Sequence, residues 1–251
     1  MFALFTYRLL PIMDLSNTVI VVTGASSGIG KAFAEALIAK GATVYGLARS
    51  MDTMQAIQEE LGSAFKPIGC DVTDEQQVND AFAQITDEAG RIDALLNNAG
   101  LGRFGPLKEA ETNEWNLQVD TNLTGIFFCT RAVIPTMQDQ NEASGFGGHI
   151  INIASVAGLV GNANISIYNA TKFGVRGFSE ALMKELRGDG IKVTCVYPGS
   201  IETNFFKGAG MKSSSNPMMP EDIASTVVHV LEAPDNYLIS EVMMRPLRPK
   251  G

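Results

Sequence analysis

The sequence predicts an α/β protein: one domain built on a doubly wound parallel sheet with helices on both faces. Two observations carry that expectation. From Val19 onward, short Val/Ile/Leu-rich runs alternate with longer segments of helical period, the pattern of crossover units on a parallel sheet. Gly24, Asp71, Asn98, Ser155 and Pro198 each fall just past an apolar run, where an open α/β sheet gathers its ligand-binding groups.

The elements follow in order. Residues 19–23 (VIVVT) form the first strand, a run apolar enough to be covered on both faces, and a glycine-rich turn leads to a helix over 29–40. Strand 43–48 (TVYGLA) precedes a helix over 54–61, and strand 65–70 (FKPIGC) precedes one over 75–89. Strand 94–97 (ALLN) is followed by a long helix over 114–138, then strand 149–154 (HIINIA) and a helix over 167–187. Strand 192–197 (KVTCVY), a helix over 220–232 opened by Pro220, and a last strand over 236–242 complete the series. The polar, glycine-containing stretch 140–148 reads as a loop, and 207–217 as a mobile one suited to a lid. No linker or repeat divides the chain.

A chain of 251 residues, 45% of them hydrophobic, buries a large core. A net charge of -8 without a basic run argues against nucleic acid as a partner. Cys70, Cys129 and Cys195 are odd in number, far apart and set in apolar stretches, so buried reduced thiols of a cytoplasmic protein are expected. With only His149 and His229 to help, no metal site is expected. The apolar segment 1–13 is interrupted by Arg8 and falls short of the roughly 18–20 residues of a membrane span. It reads as an extension, with Met13 the expected natural start and 14–251 the single domain.

TGASSGIG, residues 23–30, joins the first strand to the first helix. Glycines at 24, 28 and 30 permit a tight turn and the close approach of a pyrophosphate, and the helix start adds unpaired N–H groups and a positive dipole. The same letters satisfy G-x-S-x-G, a hydrolase elbow with Ser26 as nucleophile. His149 in a glycine-rich strand start and His229 in an apolar helix make poor triad partners. At the end of the second strand stand Ala48, Arg49 and Ser50 rather than an acid. A carboxylate there would select a ribose 2′-hydroxyl, whereas Arg49 offers a planar donor fork to a 2′-phosphate, so NADP(H) is the expected cofactor.

Tyr168 and Lys172 are four apart in a helical segment and share a face. An ammonium about 5 Å from a phenol contributes roughly 3 kcal/mol at an effective dielectric near 20, enough to bring a pKa of about 10 toward neutrality and suit it to acid/base work. Ser155, following the strand INIA, is placed to hydrogen-bond a carbonyl or developing alkoxide. Asn122 either bends its helix and holds a water against Lys172 or is a satisfied core amide.

TGASSGIG, CDVT, NNAG, Asn122, Ser155, YNATK and PGSIET occur together in this order. The chain therefore resembles the short-chain dehydrogenase/reductase family, strongly over residues 15–203 and more loosely beyond. The resemblance implies a Rossmann-type fold and a tetrad of Asn122, Ser155, Tyr168 and Lys172. It implies an NAD(P)-dependent oxidoreductase that interconverts a small-molecule carbonyl and a secondary alcohol, with NADP(H) preferred and NAD(H) possible. Gly24, Ser26, Ser27, Gly28, Ile29 and Gly30 would take the phosphates, with Arg49 on the 2′-phosphate side. Asp71 would bind the adenine amino group with Val72 giving a backbone contact, Asn98 would line the ribose, and Ile201 and Thr203 would hold the nicotinamide carboxamide, with Ala99, Gly100, Pro198, Gly199, Tyr168 and Lys172 also touching cofactor.

The loop departs from many NADP-using relatives in lacking a basic residue just before its second glycine, and Lys31 comes too late to replace it. Substrate would touch the mainly apolar segments 101–104, 156–163 and 205–219, with Phe205, Phe206, Met211, Met218 and Met219 folding over it and Arg103 a candidate for a carboxylate. Two alternatives stand beside this reading: a 3-oxoacyl-carrier-protein reductase, and a nucleotide-binding regulator without turnover. The tail ISEVMMRPLRP resembles the hydroxy-acid and sugar-alcohol branches more than the acyl-carrier reductases. Family resemblance also implies a homotetramer or homodimer built on helices 114–138 and 167–187, with no membrane partner.

Overall fold

The computed structural model describes residues 13–203 and 216–248. The expected N-terminal extension and most of the expected lid, with Phe205, Phe206 and Met211, lie outside these residues.

Seven parallel strands form one sheet in the order β3-β2-β1-β4-β5-β6-β7. In chain order they are β1 (Val19–Thr23), β2 (Thr43–Ala48), β3 (Phe65–Gly69), β4 (Ala94–Asn97), β5 (Gly148–Ile153), β6 (Ile191–Pro198) and β7 (Glu241–Met244). The order reverses between β1 and β4, which pair Ile20 with Ala94 and Val22 with Leu96. That switch point opens a crevice at the carboxyl ends of the two strands.

Alternation along β1 shows why the strands read as continuous apolar runs. Ile20 and Val22 face one side, with Phe33 and Leu37 of α1 (Gly28–Ile38), Met54 and Ile57 of α2 (Met51–Leu61), and Ile223 and Val227 of α7 (Pro220–Leu231). Val19 and Val21 face the other, with Phe82 and Ile85 of α3 (Glu75–Ala89), Val133 and Met137 of α5 (Gly125–Ser144), and Leu182 of α6 (Ser166–Leu186). Each such side chain fully removed from water contributes about 1.5–3 kcal/mol, so register and layering are set together.

Three elements differ from the sequence expectation. The helix expected over 114–138 is α4 (Thr112–Val119), one π-helical turn (Asp120–Thr124) and then α5. α5 also runs on to Ser144 and ends at Gly145, whose φ of 81° is left-handed. The polar stretch stays helical because Gln140 works inward: its Oε1 accepts from Ile92 N–H, and its Nε2 donates to the carbonyls of Ile92 and Gly147. β7 begins at Glu241 rather than 236. The preceding residues are committed elsewhere, Lys192 Nζ donating to the carbonyls of Ala233 and Pro234, and Thr194 Oγ1 to that of Ile239.

Candidate active site

A cleft of about 860 Å³ opens above the carboxyl ends of β1, β4, β5 and β6. Its floor is the turn after β1. Gly24 has φ +66°, and a Cβ there would lie 2.9 Å from Ala99 Cα, so a side chain would push the β4 loop away. Two hydrogen bonds bind that loop to the turn: Asn98 and Ala99 N–H groups both donate to Thr23 Oγ1 at 2.9 Å. Asn98 Nδ2 adds a bond to the Thr23 carbonyl at 2.9 Å.

Gly24, Ser26, Ser27, Gly28 and Ile29 line the cleft as expected, but Gly30 does not. A Cβ on Gly30 would lie 2.2 Å from the Gly24 carbonyl oxygen. Its part is to let α1 pack onto the turn, not to touch a ligand. The helix start is left open: the Ser27 side chain makes no capping bond and the first turn holds no acid. Unpaired N–H groups and a positive dipole at a glycine turn fit a pyrophosphate, so the residues present suit a dinucleotide.

At the end of the cleft beside β2 and β3, Asp71 Oδ1 accepts from Thr73 N–H at 3.0 Å and Thr73 Oγ1 at 2.8 Å. Its other oxygen lies 3.9 Å from Arg49 Nη1, and the Arg49 side chain is 70% exposed. Arg49 thus stands over the cleft mouth, leaning on Asp71. Val72, Asn98, Ala99 and Gly100 line the middle of the cleft, and Pro198, Gly199, Ile201 and Thr203 close its far side. Gly199 N–H donates to the Met244 carbonyl at 2.8 Å, and Ile201 bridges to Met218, which fixes that loop.

Tyr168, Lys172 and Ser155 converge in the same cleft. Tyr168 and Lys172 are both buried on α6. The Ser155 side chain hydrogen-bonds the Tyr168 phenol, while Phe104 meets the ring edge-on with centroids 5.4 Å apart. Ser155 caps a short 3₁₀ turn, Val156–Gly158, its Oγ accepting from Ala157 N–H at 3.1 Å.

Lys172 departs from the sequence expectation in where its charge goes. Nζ donates to the Ile153 carbonyl at 2.8 Å and sits 5.7 Å from the centroid of the Tyr168 ring. Burial therefore dominates both groups. It pushes the phenol up to about 12, opposed only by the Ser155 hydrogen bond, and pulls the ammonium down to about 8. Burial thus opposes the lowering of the Tyr168 pKa expected from its helical neighbour, while easing proton loss from Lys172.

Asn122 is fully buried in the π turn, behind the cleft wall rather than in it. Its Oδ1 accepts from Leu101 N–H and its Nδ2 donates to the Leu101 carbonyl, both at 2.8 Å; Nδ2 also reaches Thr171 Oγ1 at 3.2 Å. Between Asn122 and Lys172 lies Gly100, where a Cβ would be 3.2 Å from Asn122 Oδ1 and 3.7 Å from Lys172 Nζ.

Sequence reading assigned no role to Gln118 or Asn169, and named Phe104 only as part of a substrate-facing segment. Gln118 is fully buried and accepts from Arg103 N–H at 3.1 Å. Nothing local marks it apart from other polar helix residues. Arg103, Phe104 and Ile165 line both the main cleft and a neighbouring cavity of about 220 Å³ that also takes in Glu109, Glu114 and Asn164. The hydrolase reading has no triad: His149 lies at the amino end of β5, whereas Ser26 follows the carboxyl end of β1, and His149 Nε2 is hydrogen-bonded to Thr194 Oγ1 at 2.7 Å. Among the described residues no cluster of His, Cys, Asp and Glu could hold a metal, and no helix is long and apolar enough to cross a membrane.

The family model described as short chain dehydrogenase matches residues 18–213. A 3-oxoacyl-[acyl-carrier-protein] reductase of Vibrio harveyi is 37% identical over 240 residues, covering 92% of this chain and 96% of the relative. The dehydrogenase/reductase SDR family member 11 of Gallus gallus is 37% identical over 249 residues, with the same coverage, 92% and 96%. Among solved structures, the closed form of a serine dehydrogenase complexed with NADP+ superposes with a TM-score of 0.84 at 32% identity, over 91% of this chain and 95% of the other.

Proposed function

This chain belongs to the short-chain dehydrogenase/reductase family and is an oxidoreductase of CH–OH and C=O groups, and on that premise we propose that it is an NADP(H)-preferring carbonyl reductase using Tyr168 as acid/base. The observation that carries the proposal is the meeting of Tyr168, Ser155 and Lys172 in one cleft with the open glycine turn. When bound, NADPH supplies the hydride. Around it this chain supplies positioning and protons.

Ser155 Oγ–H and Tyr168 Oη–H converge from two elements on one point, where a carbonyl oxygen would accept from both. The phenol, held protonated by burial, gives its proton to that oxygen as negative charge develops, and the hydroxyl stabilises the charge. Lys172, pulled down to about 8, can return a proton toward Tyr168 at near-neutral pH. Gly24, Ser26–Ile29 and the α1 N-terminus hold the pyrophosphate, and Asp71 and Val72 the adenine. Asn98, Ala99 and Gly100 flank the ribose, while Pro198, Gly199, Ile201 and Thr203 hold the carboxamide. Gly30 and Asn122 act from behind this lining.

NADP(H) preference rests on Arg49, whose exposed fork stands where a 2′-phosphate would lie; NAD(H) is usable as well, because the remaining lining takes the part of the dinucleotide that both cofactors share. The NADP+ complex of the serine dehydrogenase supports this choice. A homotetramer or homodimer is supported by half-exposed Phe127 on α5 and Phe173 on α6, which would be covered by a second copy. Three buried, unpaired cysteines accord with the cytoplasm.

The test is to titrate the protein with NADPH and NADH by fluorescence, then follow nicotinamide absorbance with ketones, hydroxy acids and 3-oxoacyl thioesters. NADPH-selective binding with turnover of a carbonyl supports the proposal. Binding without turnover across the screen would instead favour the regulator, and absence of binding would overturn the cofactor assignment.

A further inference from the structure

Next to Tyr168 in the chain stands Asn169, a buried residue whose three side-chain hydrogen bonds all go to one loop. Nδ2 donates to the carbonyl of Ala157 at 2.5 Å and to that of Val160 at 3.0 Å. Oδ1 accepts from Asn162 N–H at 3.0 Å. Two donors meet two carbonyls and the acceptor meets an N–H, so no other orientation of the amide and no other side chain of that length satisfies all three.

The loop so held runs from Ser155 to Asn162. Ala157 is gripped at both of its backbone groups: its N–H donates to Ser155 Oγ at 3.1 Å, and its carbonyl accepts from Asn169. Beyond it, Gly158 lies flat on α6, where a Cβ would be 2.5 Å from the Lys172 carbonyl oxygen. The turn carrying Ser155 is therefore pressed against α6 by Gly158 and tied to it by Asn169. Tyr168 and Asn169 are consecutive on that helix, so one end of the tie is the acid/base itself.

We propose that Asn169 is a positioning residue for the carbonyl–alcohol reaction: through Ala157 it fixes the Ser155 hydroxyl relative to the Tyr168 phenol, and through Val160 and Asn162 it fixes the loop wall beyond Ser155. This rests on the reading of Ser155 and Tyr168 as the reacting pair. The physical reason is registration. Ser155 and Tyr168 come from different elements, and a hydroxyl that must meet the same carbonyl oxygen as the phenol tolerates little displacement; a shift of about 1 Å costs up to 100-fold in rate. Apart from Ala157 N–H and the Tyr168 phenol with which it must stay in register, Ser155 Oγ reaches the Pro198 carbonyl at 3.4 Å, which is too long to hold it alone.

The test is a double-mutant cycle on the whole protein, with NADPH and ethyl acetoacetate, or whichever ketone of the screen turns over fastest. Asn169→Ala lowers kcat about 10- to 100-fold in the Ser155 background and less than about 3-fold in Ser155→Ala, because a group acting through Ser155 has nothing left to position once Ser155 is gone. Asn169→Asp keeps the size and the acceptor but loses both donations, and falls with Asn169→Ala. NADPH affinity within about twofold of wild type certifies that each variant is folded. An equal fold-loss in both backgrounds, or full kcat in Asn169→Ala, overturns the proposal. If Tyr168→Phe or Ser155→Ala itself keeps wild-type turnover, the reading of the reacting pair fails instead, and the two failures are told apart.

Discussion

Lys172 spends one of its ammonium protons on the carbonyl of Ile153, 2.8 Å away, and so is anchored to β5 while its charge lies under the ring of Tyr168. Burial outweighs the neighbouring Cys195 sulfur, so a cation held in this way gives up its proton more easily than an ordinary lysine.

Stability should show this. The folded pKa of Lys172, about 8, lies below the ordinary lysine value of 10.5. The unfolded chain therefore binds the proton more tightly between these values, and stability rises with pH from about 8 to 10.5. Denaturant melts across this range are expected to show a gain of about 3 kcal/mol attributable to the lysine. In Lys172→Met that part of the slope disappears, while turnover is lost.

Activity has its own pH signature. With the phenol held up to about 12, Tyr168 stays protonated throughout the working range, and the alkaline fall of kcat/KM for NADPH in the reductive direction is expected near pH 8, where Lys172 loses its charge. Tyr168→Phe abolishes reduction, by about 10²–10⁴-fold, with NADPH binding kept. A fall centred near pH 6 in place of 8 would point to a different group.

Arg49 is expected to separate the two cofactors. Arg49→Ala removes a charge-assisted contact worth about 1.5–3 kcal/mol, so NADPH affinity falls about 10- to 100-fold while NADH affinity changes little. Fluorescence titration of both cofactors gives the ratio directly. An equal loss for both would mean that Arg49 only braces Asp71, from which it is 3.9 Å distant.

Gly30→Ala is the severe cofactor-loop variant despite lying outside the cleft lining. Its Cβ would be 2.2 Å from the Gly24 carbonyl oxygen and 2.7 Å from Asn98 Nδ2, so α1 must lift off the turn. Overpacking of this kind costs about 1–3 kcal/mol. Loss of both NADPH and NADH binding with a lowered Tm is expected; Gly177→Ala, a helical glycine on α6 with open space around it, serves as the comparison.

Acid stability turns on His149. Burial pulls its imidazole down to about 3, from 6.5, so the unfolded chain takes the proton first and stability falls as the pH drops from about 6.5 toward 3. His149→Gln, which retains a donor toward Thr194 Oγ1, is expected to shift acid unfolding followed by circular dichroism to lower pH.

The chain order of strands and most helices was legible because β1, β2, β4, β5 and β6 are buried along nearly their whole length and the turns carry glycine or a polar end. The lining of the cleft was legible for the same reason: Gly24, Asn98, Ser155 and Pro198 announce themselves by following strands. What escaped depends on distant partners. Gln140 keeps α5 helical only by bonding Ile92 and Gly147, and the late start of β7 depends on Lys192 and Thr194 binding the residues before it. The Tyr168 acidity was misjudged because helical spacing reports that two side chains share a face, not that one of them is turned to a strand carbonyl. Gly30 and Asn122 were identified as site residues but not as residues acting one layer behind it.

The pairing of Gly199 with Met244 has a temporal side. Synthesis delivers the glycine turn, Ser155 and Tyr168 well before β7, yet the loop that closes the far wall of the cleft has its backbone partner in that late strand. A nascent chain can thus carry all its reacting groups while the far wall of its crevice still lacks the strand that anchors it.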